Sequence, residues 1–358
     1  MQGSESVPIS RSYAFLIIML VVVALQRPTS AQEIFPEEDG VFSTREITAS
    51  AKTEGGNKVI IESATTLGGS LRIKTGEADV VLAKYFKKAK TSSRSKAIDY
   101  IDLIGVSLDQ SPEGVRLQMR APNPAPWQER LEAGMITIEL TIPDSSFVEI
   151  DARLFDIEAE GPFKGMIIPS SLGRIDIVDA HGVIDLSTAN QRVSLEDISG
   201  EISVTSSNAS IEGINLKSRG KPANFRNDGG DILLDDFIGE INVRNNFGRI
   251  SIVGFTPQGT KNFIRGLSEP ILLEIVDMDN ARLIVSNQYE DIELVVPREI
   301  SAVISMAVDE GGVIEASNLI VKPDLIEDNR LYLVSGAGVS TLSGSIQGRG
   351  NIYIQGRE

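Results

Sequence analysis

GRIDIVDAHGVIDLSTANQRVSLEDISGEISVTSSN, residues 173–208, decides the fold. It divides into nine-residue units: GRIDIVDAH from Gly173, GVIDLSTAN from Gly182, QRVSLEDIS from Gln191 and GEISVTSSN from Gly200. Most units open on a turn glycine, followed by aliphatic residues in strict alternation and then by Ser, Asn or Asp. The unit from Gln191 keeps the alternation without the glycine. Apolar residues at period two mark a half-buried strand, and the polar cluster that follows marks its turn.

Beyond this stretch lies an irregular one, residues 209–228. The pattern then returns as GGDILLDDFI from Gly229, GEINVRNNF from Gly239 and GRISIVGFT from Gly248. Asn190, Asn208, Asn227 and Asn246 succeed one another at steps of 18, 19 and 19 residues, while Asp179, Asp197 and Asp236 are separated by 18 and 39. The structural repeat is therefore about 18 to 20 residues with two strands each, the signature of a quasi-one-dimensional stack. One such unit cannot bury its own apolar side, so it must lie on a neighbour. Phased asparagines could then bond from one turn to the next. The alternative is an antiparallel meander, but hairpins more often carry Asn-Gly or Asp-Gly turns than a single phased glycine.

The whole chain suits this reading. Of 358 residues 41% are apolar, only 5% are aromatic and 32 are glycine. Lys and Arg total 34 against 50 Asp and Glu, a net charge of −16 that disfavours nucleic acid and anionic lipid as partners. Cysteine is absent, which removes disulfide staples, thiolate chemistry and a lipidated cysteine. Residues 13–25 form an apolar run after Arg11, too short for a span of about 20 residues but matched to a signal peptide. Thr29 and Ala31 place a cleavage site before Gln32, with an uncleaved anchor as the alternative. Either way the remainder is expected outside the cytoplasm: periplasmic, surface-bound or secreted.

The expected organisation is a signal peptide over 1–31, an N-terminal β capping region over 32–145, solenoid repeats over 146–256 and a C-terminal β-repeat or capping region over 257–358. In the first flank KVIIES, SLRIKT, ADVVLA, IDLIGVSL, GVRLQMR and MITIELTIP read as an antiparallel layer over one end of the stack. Two insertions stand out there. Residues 84–96 gather Lys84, Lys87, Lys88, Lys90, Arg94 and Lys96, either a solvated loop or short helix, or a docking patch for an anionic glycan. PNPAPWQER from Pro122 carries Trp127, the only tryptophan, as a ligand contact or as a cover for the core end. In the last flank, GSIQGRGNIYI repeats the turn-then-alternation pattern.

Three passages carry a family resemblance: TIELTIPDSSFVEIDARLFDIEAEG, the G-x-I-x-V units of residues 173–253, and DIELVVPREISAVISMAVDEGGVIEAS with the closing GRGNIYI. They span most of residues 140–358, and the chain resembles the bacterial putative-adhesin family of β-strand-repeat cell-envelope proteins, a domain of unknown function. That resemblance implies a parallel β-helix-like fold, export and no catalytic residues to carry over. The chain departs from the tidiest members between residues 209 and 228, which leaves the number of coils open.

No residue is assigned a catalytic, cofactor-binding or metal role. His181 is the only histidine, and sibling units place Ser199 and Ile238 at its position, so it reads as a variable turn residue. Asp235-Asp236 and Asp277-Met278-Asp279-Asn280 are oxygen-rich, yet the glycine and aspartate spacing of a calcium nonapeptide is missing. The expected function is adhesin-like display of a polar, acidic solenoid surface to an envelope, matrix or cell-surface component, a glycan being one candidate. Two alternatives remain open. One is a carbohydrate-binding or polysaccharide-cleaving β-helix, favoured by a cleft with paired carboxylates beside aromatics. The other is a periplasmic scaffold assembling end to end, favoured by an uncovered terminal strand.

Overall fold

The computed structural model describes residues 33–358 except 54–56, 77–78, 129–130, 310, 322–323 and 328. The segment read as an export signal lies outside the described residues. What is described is all-β, apart from the 3-10 turn Glu38–Gly40 and the helix Arg94–Asp102.

The strand Ile175–Thr188 shows how the repeat folds. Ile175, Ile177, Ala180, Ile184, Leu186 and Thr188 are buried, so the alternation slips by one residue at Asp179. Asp179 is left-handed, with φ 60°. Such a residue in a strand makes a bulge and bends it, and Asp, Asn and Gly tolerate that backbone best. The same left-handed corner recurs at Asp197, Asn215, Asp236 and Gly254, steps of 18, 18, 21 and 18 residues. Asn215 thus fills the step that the aspartates alone leave empty.

Successive turns pair in parallel, with register shifts at Glu160–Gly165, Ile168–Ser171 and Ile252–Phe255, and one column of partners is continuous through the described residues. Ile138, Leu71, Ile157, Ile175, Val193, Ile211, Ile232, Ile250, Ile271, Ile292, Ile352 and Ile314 follow one another as strand partners. All twelve are buried. They define twelve levels of a parallel β-solenoid among the described residues, built on one continuous core. At midheight Phe225, Phe237 and Phe255 pack with ring centroids 6.2 and 5.9 Å apart. The irregular stretch proves to be an ordinary level, Ile211–Ser218 with Ala223–Asn227, whose connecting loop lengthens the local repeat.

The order of that column departs from the order of the chain at both ends. Lys58–Ser63 and Gly68–Gly76 lie between the level built from Gly114–Arg120 and Ala133–Pro143 and the one begun by Phe147–Asp151. Ser340–Ile346 and Ile352–Arg357 lie likewise between Arg282–Asn287 with Ile292–Pro297 and Ala302–Val308 with Ile314–Ser317. KVIIES, SLRIKT, GVRLQMR and MITIELTIP therefore belong to the parallel stack and not to an antiparallel layer. Their aliphatic side chains continue the buried columns, and only parallel pairing keeps those columns in register.

The antiparallel cover is confined to the strands outside them. Val80–Lys90 lies on Ala133–Pro143, Ile47–Lys52 and Val41–Thr44 lie on Val80–Lys90, and Gly105–Ser111 lies on Gly114–Arg120. IDLIGVSL does not form one strand, because its first two residues close the helix that Ser93 caps. At the far end Arg330–Val334 covers Ala302–Val308 antiparallel. Among the described residues nothing pairs with the outer edge of Ile314–Ser317.

The turns are held by polar side chains facing inward. Asn227 is fully buried and donates to Ala209 O at 2.7 Å and Gly230 O at 2.8 Å. Asn287 donates to Glu269 O and Glu290 O, each at 2.9 Å. This ladder corrects the register expected for the asparagines. Asn227 aligns with Ser206 and Asn245, while Asn208 bonds Asn190 on the exposed side at 2.9 Å.

Candidate binding surface

Residues 84–96 do not form one basic patch. Lys84 to Lys90 belong to the strand Val80–Lys90, whose alternation distributes the cations over both faces. Lys87 lies on the inner side, and burial lowers its ammonium pKa while Asp102 opposes that shift. Lys88 pairs with Glu37 at 3.0 Å, Lys96 with Glu132 at 3.2 Å, and Arg94 donates to Ile34 O at 3.3 Å. Trp127 is 3% exposed, donates from Nε1 to Thr66 O at 2.9 Å and meets Tyr100 edge-on at 5.4 Å. It covers the core and presents no face to a ligand.

His181 has partners that its lone position in the sequence concealed. Nδ1 lies 2.8 Å from Ser199 Oγ, and Nε2 lies 3.0 Å from Asp179 Oδ1. Ser199 sits in register with His181 one level up, so the 18-residue repeat was the signal for this contact. A hydrolytic triad also needs a sheltered site with donors aimed at the developing oxyanion. His181 is 59% exposed on the outer surface, which is the setting of a polar contact between levels. Among the described residues no three or more acidic, His or Cys side chains converge on a metal position. Asp277 instead caps Met278 N at 2.8 Å, and Asn280 donates to Asp279 at 3.1 Å.

The outer face near the N-terminal cover brings together residues that the sequence did not single out. In-register pairing places Thr48, Lys84, Glu139, Arg72, Glu158 and Asp176 in one row across six adjacent strands. A second row, two residues along, holds Phe86, Thr137, Ser70 and Asp156. Together with Glu46 and Arg174 most of these residues line an open groove of about 400 Å³. Glu158 is bound by Arg72 and Arg174, each at 3.1 Å, and Arg174 also reaches Asp176 at 2.8 Å. Lys84, Glu46 and Glu139 make no ion pair among the described residues.

This arrangement offers a half-buried aromatic ring, two hydroxyls, one unpaired ammonium and two unpaired carboxylates, all set on strands except Glu46, which lies in the link between Val41–Thr44 and Ile47–Lys52. It can hydrogen-bond a polyhydroxylated ligand and stack an apolar face of it on Phe86. The oxygens of Glu158 are already occupied by guanidiniums. The neighbouring ladder is structural: Arg192 joins Asp176 at 3.4 Å to Glu212 at 3.3 Å.

The fold and this face together define a parallel β-solenoid with a charged, grooved outer surface. No protein-family model matches the chain, and no curated protein matches it significantly. Two solved bacterial structures are similar to the chain at 10% identity. One is a putative cell adhesion protein from Clostridium sporogenes, matched over 87% of this chain and 99% of its own at a TM-score of 0.20. The other is a putative adhesin from Bacteroides fragilis, matched over 87% of this chain and 97% of its own at a TM-score of 0.32. Neither likeness assigns a role to a residue here.

Proposed function

We propose that this chain is an exported, non-enzymatic, adhesin-like contact protein that binds an envelope or cell-surface glycan through its outer face. The observation that carries the reading is the groove. In-register pairing, antiparallel between Val80–Lys90 and Ala133–Pro143 and parallel from there to Gly68–Gly76, sets Lys84, Glu139, Phe86, Thr137 and Ser70 side by side on adjacent strands. Side chains fixed by a strand ladder lose little freedom on binding, which favours recognition. Location outside the cytoplasm is part of the proposal and rests on the apolar run of residues 13–25.

The test is a binding screen of the protein from Gln32 onward against polysaccharides and whole cells, with released sugars assayed in the same wells. Saturable binding without sugar release supports the proposal, and Phe86→Ala should then weaken it by about tenfold, one contact of ~1.4 kcal/mol. Release of oligosaccharide would make the protein a polysaccharide-cleaving enzyme instead. The unpaired edge of Ile314–Ser317 favours a second reading, assembly through the end of the stack. In light scattering that reading predicts a mass that grows with concentration.

A further inference from the structure

The two ends of the stack are finished differently. At the N-terminal end antiparallel strands cover both halves of the outermost level. At the C-terminal end the cover reaches only Ala302–Val308. Val313 O accepts from Ile352 N, so residues 313, 315 and 317 turn toward the inserted strand Ile352–Arg357. Ile314 and Ala316 therefore direct their backbone N–H and C=O groups outward, where no described strand meets them.

Beside this edge in the chain Val313, Ile320 and Leu325 are exposed large apolar residues. The described residues of 309–334 hold four acidic residues against one basic. Among them Asp309, Glu315, Asp324 and Glu327 are exposed and make no ion pair among the described residues. An open strand edge, apolar side chains and uncompensated carboxylates fit one kind of occupant. We propose that this end accepts an extended segment of another polypeptide, basic and apolar in alternation, as an added β-strand.

A second copy of the chain fits less well. Joined through the same end, two copies would face carboxylates with carboxylates. Joined head to tail, this end would meet residues 33–52, which carry five acidic residues and two basic ones. The site does not overlap the groove and does not depend on what the groove binds.

The experiment titrates the protein with a labelled peptide of about eight alternating Lys and Val residues, a strand's length, at about 0.15 M salt. Saturable one-to-one binding is expected. Ala316→Pro should weaken it at least about tenfold, since proline removes the outward N–H without touching the inner ladder. The same peptide with alternate backbone nitrogens methylated should not bind, and Phe86→Ala should leave binding unchanged. Glu315→Lys, an exposed replacement that spares the backbone, repeats the test should the proline variant fail to fold. Binding indifferent to Ala316→Pro and to methylation would reduce the effect to attraction by a chain of net charge −16 and overturn the proposal. Absence of saturable binding would overturn it as well. Self-association abolished by Ala316→Pro, without peptide binding, would make the occupant a second copy.

Discussion

Asn227 joins two stretches of backbone through one amide: its own turn at Gly230 and the turn of the level before it at Ala209. Asn227→Ala removes one donor each from Ala209 O and Gly230 O, which keep Ser206 Oγ at 2.9 Å and Asn245 Nδ2 at 2.8 Å, so the loss is that of two hydrogen bonds at about 0.5–1.5 kcal/mol each. The variant should lose about 1–3 kcal/mol in urea unfolding with an unchanged m-value. Glu132 makes a different prediction. Its carboxylate accepts from Tyr100, Thr91 and Lys96, in that order of weight, and its pKa falls from 4.5 to about 2. A group depressed in the folded state stabilises above its unfolded pKa, and that contribution disappears as pH falls from 4.5 toward 2. Glu132→Gln should therefore melt below the parent at neutral pH, and the gap should narrow across that window. A gap constant with pH would assign the loss to packing. The sequence shows that asparagines recur but not which are buried. Asn227 and Asn246 differ by a step that looks regular, yet the inward position belongs to Asn227 and Asn245. One residue exchanges the two faces of a strand, and composition carries no trace of that exchange.

At the scale of elements, the parallel repeat of residues 173–208 was legible because its alternation and its glycines agree. The strand pairs placed out of order were not. KVIIES reads equally well as a strand of any pairing, because both neighbours supply the same aliphatic surface. The closing GSIQGRGNIYI shows the repeat pattern, but nothing in it tells that Ile352 partners both Ile292 and Ile314. The groove was hidden for the same reason, since its rows join residues as distant as Thr48 and Asp176. A variant lacking residues 340–358 tests the placement. It removes the level on which Ala302–Val308 rests, so residues 299–334 should lose their protection and be cut first in limited proteolysis. The levels through residue 275 should keep their strand signal in circular dichroism. Uniform loss of structure would show instead that the stack folds only as a whole.

The described residues share one continuous core, and the chain carries an excess of 16 negative charges. Its surface ion pairs, such as Arg72 with Glu158 at 3.1 Å, are half-exposed and contribute little each. Self-repulsion of the net charge is the larger electrostatic effect on a compact state. The melting temperature should therefore rise as salt increases from about 0.01 to 0.15 M, over which the screening length falls from about 30 to 8 Å. A falling melting temperature would show that the ion-pair ladder outweighs the net charge.

The inserted strand pairs also decide how the structure yields to force. In a stack laid down in chain order, the outermost turn can be unzipped one hydrogen bond at a time from its single neighbour. Here a pull on residue 357 acts on a strand bonded along both edges, to Ile292–Pro297 and to Ile314–Ser317. That strand must be drawn lengthwise from between two ladders, loading many bonds together. The N-terminal pair, residues 58–76, is clasped in the same way. Pulled from residue 357, a molecule of this design resists being peeled open turn by turn, while at the other end the cover strand Ile47–Lys52, bonded among the described strands to Val80–Lys90 alone, yields before the clasped pair is loaded.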